Sequence, residues 1–317
     1  MYSVINLLCG IGMFLTGMAL MSDYTTTAFG DKLKNILTAL TKNKISGVIT
    51  GMAVTGVIQS SCVTTVTAVS FVEAGFLSIV GAAGIVMGAN IGTTITSLII
   101  AVNFSDIAPI SIFIGAFMKL ICKGEKAQSI GVILSGFGIL FVGLNTMASS
   151  FEALKDSEIF LGFVAASKGK IKGILTGFIM TALLQSSSAT VGILQALSMQ
   201  GIVPVGDALY IILGQNIGAV IPVILSCIGT GKTAKQVGVI HLLFNLIGTA
   251  IFLVIMEFLP LARLLSFCGS ESMQISLFHI MFNTVSTIIL LPFSKNLISA
   301  SEKIVRFKMI KAKKKIA

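Results

Sequence analysis

Residues 57–66 read "VIQSSCVTTV". A glutamine, two serines, a cysteine and two threonines interrupt an otherwise apolar run, and a second such row, "LLQSSSATVG", occupies 183–192. The two rows superpose at an offset of 126 residues, and the match extends without a gap in both directions. "KISGVITGMAVTGVIQSSCVTTV" from Lys44 falls on "KIKGILTGFIMTALLQSSSATVG" from Lys170, and "GAAGIVMGANIGTTI" from Gly81 falls on "DALYIILGQNIGAVI" from Asp207. Across 44–95 against 170–221 there are 18 identities in 52 pairs. Shared hydrophobicity would scatter Leu and Ile matches, whereas these fall on Gly, Gln, Ser, Thr and Asn. The same offset pairs Gly10, Gly12, Gly17 and Met21 with Gly136, Gly138, Gly143 and Met147. The chain therefore reads as two copies of one unit, 1–125 and 126–250. The remainder, 251–317, holds the end of a helix, a final transmembrane helix and a basic tail. A repeat of this size inside a membrane points to a transporter scaffold.

The composition places the chain in the bilayer. Of 317 residues, 55% are hydrophobic and 11% charged, and the mean hydropathy is +1.00; soluble domains carry about 25% charged residues. Apolar spans lie at about 3–21, 76–101, 107–122, 128–149, 203–228, 236–259 and 274–293. They are too long and too evenly apolar for barrel strands, so the fold class is an all-α polytopic membrane protein. The net charge of +10 does not indicate nucleic acid, because the basic residues lie mainly between apolar segments and in the tail "KIVRFKMIKAKKKIA". The five cysteines are scattered without a CxxC pair, which argues against a metal site or disulfide framework. The first apolar segment lacks a basic leader and is expected to be a retained helix.

Charge sets the expected topology. The segments 46–75 and 172–201 are each about 30 residues long with the polar row near the middle. If each is a re-entrant hairpin, every repeat crosses the membrane three times and the second repeat is inverted relative to the first. With the tail inside, the loops at 22–45, 123–127 and 229–235 and the tail hold 16 of the 22 Lys and Arg, as the positive-inside rule requires. The expected location is a bacterial cell membrane with the C-terminus cytoplasmic. The polar stretches 22–45 and 148–171 are expected to lie partly along the interface as amphipathic helices.

A hairpin tip at membrane depth offers the free N–H groups and positive dipole end of a helix start, which attract an anion. Neighbouring serine hydroxyls donate to oxyanion oxygens, so Ser60, Ser61, Ser186, Ser187 and Ser188 suit a tetrahedral oxyanion. Neither 46–72 nor 173–200 contains Lys or Arg; sodium is the natural counter-charge. Its candidate ligands are Gln59, Thr64, Gln185 and Thr190, with Asn90, Thr93 and Thr94 of "GANIGTT" and Asn216 of "GQNIGAV". The glycines of the two NIG motifs are expected to break a helix in each repeat and bare its carbonyls. The competing reading is packing: buried Ser and Thr often join helices, and GxxxG spacing recurs at Gly47/Gly51, Gly88/Gly92, Gly173/Gly177 and Gly214/Gly218. One polar cluster would fit packing; two at one offset, each followed by NIG, fit a site. His241 and His279 share an HxxFN pattern and read as hydrogen-bonded structural residues, with a proton relay as the alternative.

At "QSSCVTTV", "MGANIGTT", "QSSSATVG", "LGQNIGAV" and "HLLFN" the sequence resembles the type II sodium-phosphate cotransporter family in its bacterial form, across roughly 5–295. The resemblance implies inverted repeats, two re-entrant hairpins, inorganic phosphate bound between the QSS tips, and Na⁺ nearby as coupling ion. It assigns the five serines to phosphate, and the two glutamines with the Asn and Thr residues after each tip to Na⁺. Cys62 stands where the family has serine, Ala219 and Val220 replace the Thr-Thr after the second NIG, and "SIFIGAFMKLI" lacks the His and Asp of animal members. The chain is also expected to lack the regulatory domain found in many bacterial relatives. The expected activity is Na⁺–phosphate symport by alternating access and not an enzymatic one. The alternatives are another oxyanion, phosphate export, an intramembrane serine hydrolase or a phosphate-signalling adaptor.

Overall fold

The computed structural model describes residues 2–316 apart from Lys42 and Asp156; the side chains at 159, 160, 163, 164, 166 and from 307 onward lie outside that description. The described residues form helices α1 (Tyr2–Ala39), α2 (Lys44–Ile58), α3 (Ser61–Glu73), α4 (Ile79–Val102), α5 (Ala108–Ile121), α6 (Glu125–Leu154), α7 (Glu158–Ser167) and α8 (Lys170–Leu184), followed by α9 (Ser187–Met199), α10 (Val205–Gly218), α11 (Ile221–Ser226), α12 (Lys232–Phe258), α13 (Leu261–Leu265), α14 (Glu271–Leu290) and α15 (Ser294–Ile316). No strand occurs among them. Among the described residues, six helical segments are long and apolar enough to cross a membrane: α1, α4, α6, α10 with α11, α12 and α14. The chain is an all-α polytopic membrane protein.

Glycine sets the closest helix contacts. A Cβ on Gly10 would lie 3.0 Å from the Gly143 carbonyl, and one on Gly136 would lie 2.8 Å from the Gly17 carbonyl. Helices α1 and α6 therefore cross antiparallel. The offset of 126 equates Gly10 with Gly136 and Gly17 with Gly143, so each glycine meets the counterpart of the other. Within each unit the first hairpin arm runs parallel to the following long helix. Gly47 meets Gly84 and Gly92 meets Thr55 across α2 and α4, while Gly173 meets Tyr210 and Gly218 meets Thr181 across α8 and α10. Close backbone approach of this kind is how small residues join membrane helices.

Three expectations change. The first NIG motif does not break a helix, because α4 continues through Asn90–Gly92 to Val102. Its Gly88 and Gly92 instead admit the backbone of α2. The second NIG does end α10 at Gly218, and α11 starts at Ile221. Pro222 is the cause: it lacks an N–H and its ring clashes with the carbonyl four residues back, whereas its counterpart, Thr96, permits a continuous helix. The expected span 107–122 is a 14-residue helix, α5, about 21 Å long, short of the roughly 30 Å hydrocarbon core. It begins at a 3-10 turn, Ser105–Ile107, and packs against α6 through Gly115 and Gly131. Finally, the polar stretch after residue 21 is no separate interfacial helix, since α1 continues to Ala39 and buries Leu33 and Leu37.

Candidate functional site

Each QSS motif performs a helix-to-helix reversal, and the two are near copies. Gln59 closes α2 in the left-handed region (φ 63°) and Gln185 closes α8 likewise (φ 53°). A non-glycine residue there costs roughly 1–2 kcal/mol, offset in part by capping bonds. The Gln59 N–H donates to the Thr55 carbonyl at 2.7 Å and the Gln185 N–H to the Thr181 carbonyl at 2.8 Å. The Gln59 side chain also donates to the Gly56 carbonyl. Ser60 and Ser186 then turn extended (φ −141° and −142°) and N-cap α3 and α9, their hydroxyl oxygens accepting the N–H groups of Val63 and Ala189. One turn below each tip a threonine pair ties the arms together: Thr55 to Thr64 at 2.9 Å and Thr181 to Thr190 at 2.8 Å. Both pairs are centred on the reversal, so the arms are antiparallel.

The two tips face one another across a cavity of about 90 Å³ lined by Gln59, Ser60, Ser61, Cys62, Gln185, Ser186, Ser187, Ser188 and Ala219. None of these side chains is ionised. The first backbone N–H groups of α3 and α9, on Ser61, Cys62, Ser187 and Ser188, have no acceptor among the described residues, as at any helix start without extra caps. The capping oxygens of Ser60 and Ser186 accept from backbone, so each hydroxyl proton stays available. Two helix starts thus present N–H and O–H donors, with positive dipole ends, to one small volume. That arrangement suits a compact oxyanion.

All five predicted serines and both glutamines meet at this cavity. The other predicted residues lie behind it, fully or nearly buried. Thr64 and Thr190 hold the arms, and Asn90 and Asn216 donate to the carbonyls of Val86 and Ile212. Thr93 and Thr94 donate to those of Ala89 and Ile91. Thr96 escaped the sequence reading. Its hydroxyl donates to Gln59 Oε1 at 2.7 Å and lies 3.5 Å from the Ser188 hydroxyl, joining the first tip to the second through α4. Gln195 escaped too. Buried in α9, its amide nitrogen lies 2.9 Å from the hydroxyls of both Ser272 and Ser276 and 3.0 Å from the Ser97 carbonyl, tying hairpin two to α4 and α14. Their counterparts are Pro222 and Val69, so the repeat gave no signal for either.

His241 and His279 are buried, and Asn245 and Asn283 donate to their backbone carbonyls. The expected side-chain bonds of the histidines are not formed: both His241 ring nitrogens and His279 Nδ1 have no partner among the described residues. Glu73 and Asp207 are charges at helix ends, accepting the N–H groups of Gly231 and Gly169.

Known proteins are similar to this chain in sequence. The chain is 29% identical over 243 residues to the uncharacterized protein YqeW of Bacillus subtilis, covering 76% of this chain and 78% of that one. It is 28% identical over 267 residues to the putative inorganic phosphate export protein YjbB of Salmonella typhimurium, covering 84% of this chain but about half (49%) of that one. A 72-residue stretch, 23% of this chain and 11% of the other, is 40% identical to the sodium-dependent phosphate transport protein 2A of Ovis aries. No solved structure matches the chain. A model of the Na⁺/Pi-cotransporter family matches twice, over residues 13–149 and 146–280. With both hairpins and both NIG motifs inside those matches, the chain belongs to the Na⁺/Pi-cotransporter family.

Proposed function

We propose that the protein carries inorganic phosphate across the membrane together with Na⁺, by alternating access around the cavity between the two QSS tips. The observation that carries this reading is the convergence of two helix starts and five serines on one small volume without a fixed charge. Phosphate is a tetrahedral oxyanion whose oxygens accept several donors at once, and neutral donors release it more readily than a buried lysine would. An uncompensated anion in a low-dielectric site is expensive, and Na⁺ supplies the compensation. Gln59 and Gln185 line the cavity, and Thr64, Thr190, Asn90, Thr93, Thr94 and Asn216 stand behind it as further oxygen ligands for the cation. Family membership and the name of the sheep relative support this assignment.

The mechanism follows from orientation. Repeat-equivalent helices α1 and α6 cross antiparallel, which supports two units of opposite orientation related by an axis in the membrane plane. Hairpin arms of 15 and 13 residues are about 20 Å long, and both reverse at polar tips that line one cavity, which supports re-entrant entry from opposite sides. Rocking one unit against the other then exposes the same cavity to either face. A tenfold Na⁺ gradient drives the cycle with about 1.4 kcal/mol per ion.

Reconstituted vesicles test the coupling. Uptake of radiolabelled phosphate is expected to require Na⁺ and to collapse when a Na⁺ ionophore dissipates the gradient; equal uptake without Na⁺ would refute the symport. A second reading, net export, is favoured by the names of the YjbB relatives. Phosphate-loaded vesicles that release phosphate without an opposing Na⁺ gradient would support it.

Cys62 provides a further check. It stands where the second tip has Ser188, and a thiol is a weak donor. Cys62→Ser is expected to tighten phosphate binding by roughly fivefold, the worth of one net hydrogen bond. Unchanged affinity in a calorimetric titration would place position 62 outside the anion shell.

A further inference from the structure

A larger concavity lies away from the tips, between α11, α12 and α15. It has a volume of about 440 Å³, within the roughly 300–1,000 Å³ of small-ligand sites. Its walls are apolar: Ile224, Ile228, Val239, Leu242, Leu243 and Ile304 contribute, and Lys235 is the one charged side chain in the lining. The groove is built by α15 running back along α12. Leu297 packs in one cluster with Phe244 and against Leu243, while Ile304 and Val305, two turns further on, line the groove with Lys235. This antiparallel course brings the basic residues of α15 back to the start of α12. Lys303 and Arg306, both exposed, flank the lining residues Ile304 and Val305, and Lys232 precedes Lys235 by one turn. The acidic residues near this end are Glu302, which is exposed, and Glu73, which accepts the Gly231 N–H. The mouth therefore carries a net positive charge, whereas the floor along Val239–Leu243 belongs to one of the membrane-spanning helices.

An apolar slot along a helix long and apolar enough to cross a membrane, with lysine and arginine at one end, matches an amphiphile with an anionic head. Basic pockets between membrane helices hold anionic headgroups on this principle. We infer that the groove is a binding site for an anionic phospholipid, with one acyl chain lying between α12 and α15 and the phosphate paired with Lys235 and the neighbouring Arg306 and Lys303. This site is separate from the QSS cavity and does not depend on the transport reading.

Native mass spectrometry of the full chain in mild detergent tests it, with phosphatidylglycerol and phosphatidylcholine of matched acyl chains offered together. The expected result is selective retention of phosphatidylglycerol. Lys235→Glu is expected to reduce that retention by roughly fivefold or more, and Lys235→Arg to preserve it. Val239→Trp, which fills the slot, is expected to abolish it. Circular dichroism melts of each variant separate lost binding from lost folding, and the competition between the two lipids needs no variant. Equal retention of the two lipids, retention of neither, or an unchanged phosphatidylglycerol signal in folded Lys235→Glu would overturn the inference.

Discussion

Ser187→Ala is expected to weaken Na⁺-dependent phosphate binding by roughly 10- to 100-fold, the range set by losing one hydrogen bond to a charged group. Ser187 opens α9 at the cavity wall and is 9% exposed. Its hydroxyl makes no hydrogen bond within the protein among the described residues, so its removal strands no partner. The melting temperature should hardly change. Ser186→Ala makes the contrast. That hydroxyl caps α9 through the Ala189 N–H, so its loss should cost about 1 kcal/mol of stability as well as affinity. Calorimetric phosphate titrations with and without Na⁺, beside thermal melts, separate the two effects. An unaltered phosphate affinity in folded Ser187→Ala would remove the second tip from the binding site.

Gly214→Val is expected to destabilise the protein by about 3 kcal/mol or more and to prevent recovery of a monodisperse transporter. A Cβ at Gly214 would overlap the Ile174 carbonyl, and one at Gly177, facing it, would overlap the Ile211 carbonyl. The neighbours are backbone, which cannot rotate aside as a side chain can, so α8 must separate from α10. That separation would also carry the second tip away from the cavity. Gly12→Ala is the control. A Cβ there meets nothing within 4 Å, and alanine favours a helix by roughly 0.5–1 kcal/mol over glycine. Circular dichroism melts of the two variants in detergent should move in different directions. Near-native stability of Gly214→Val would mean that the hairpin does not need this close approach.

Most of the geometry of the candidate site could be read from the sequence because it rests on local, repeated chemistry. A left-handed Gln followed by a capping Ser is a local device for reversing the chain, and the identical residues at 59–60 and 185–186 adopt nearly identical backbone angles. The spacing of Thr55 from Thr64, and of Thr181 from Thr190, is likewise fixed by the helical period on either side of the tip. Where the two units diverge, the repeat misled. Asn90–Gly92 and Asn216–Gly218 match, yet one lies within a continuous helix and the other ends one. The decisive residue, Pro222 against Thr96, lies four positions beyond the glycine, outside the motif.

The amino-acid order by itself determined a membrane-embedded α-helical chain built from two copies of one unit, and it determined the two polar tips, because hydrophobic run length, residue spacing and capping act over a few residues. The tertiary structure decided that the tips share one cavity, since that depends on which helices pass beside them. It also decided their unequal surroundings: every residue of α9 from Ser187 to Ser198 is buried, whereas α3 keeps Val63, Ser70 and Glu73 exposed. Thr96 acquires its contacts only because α4 passes beside both tips, at Gln59 and Ser188, and Gln195 only from the packing of α9 on α4 and α14. Burial is a property of neighbours, and equal sequences in the two units do not have equal neighbours.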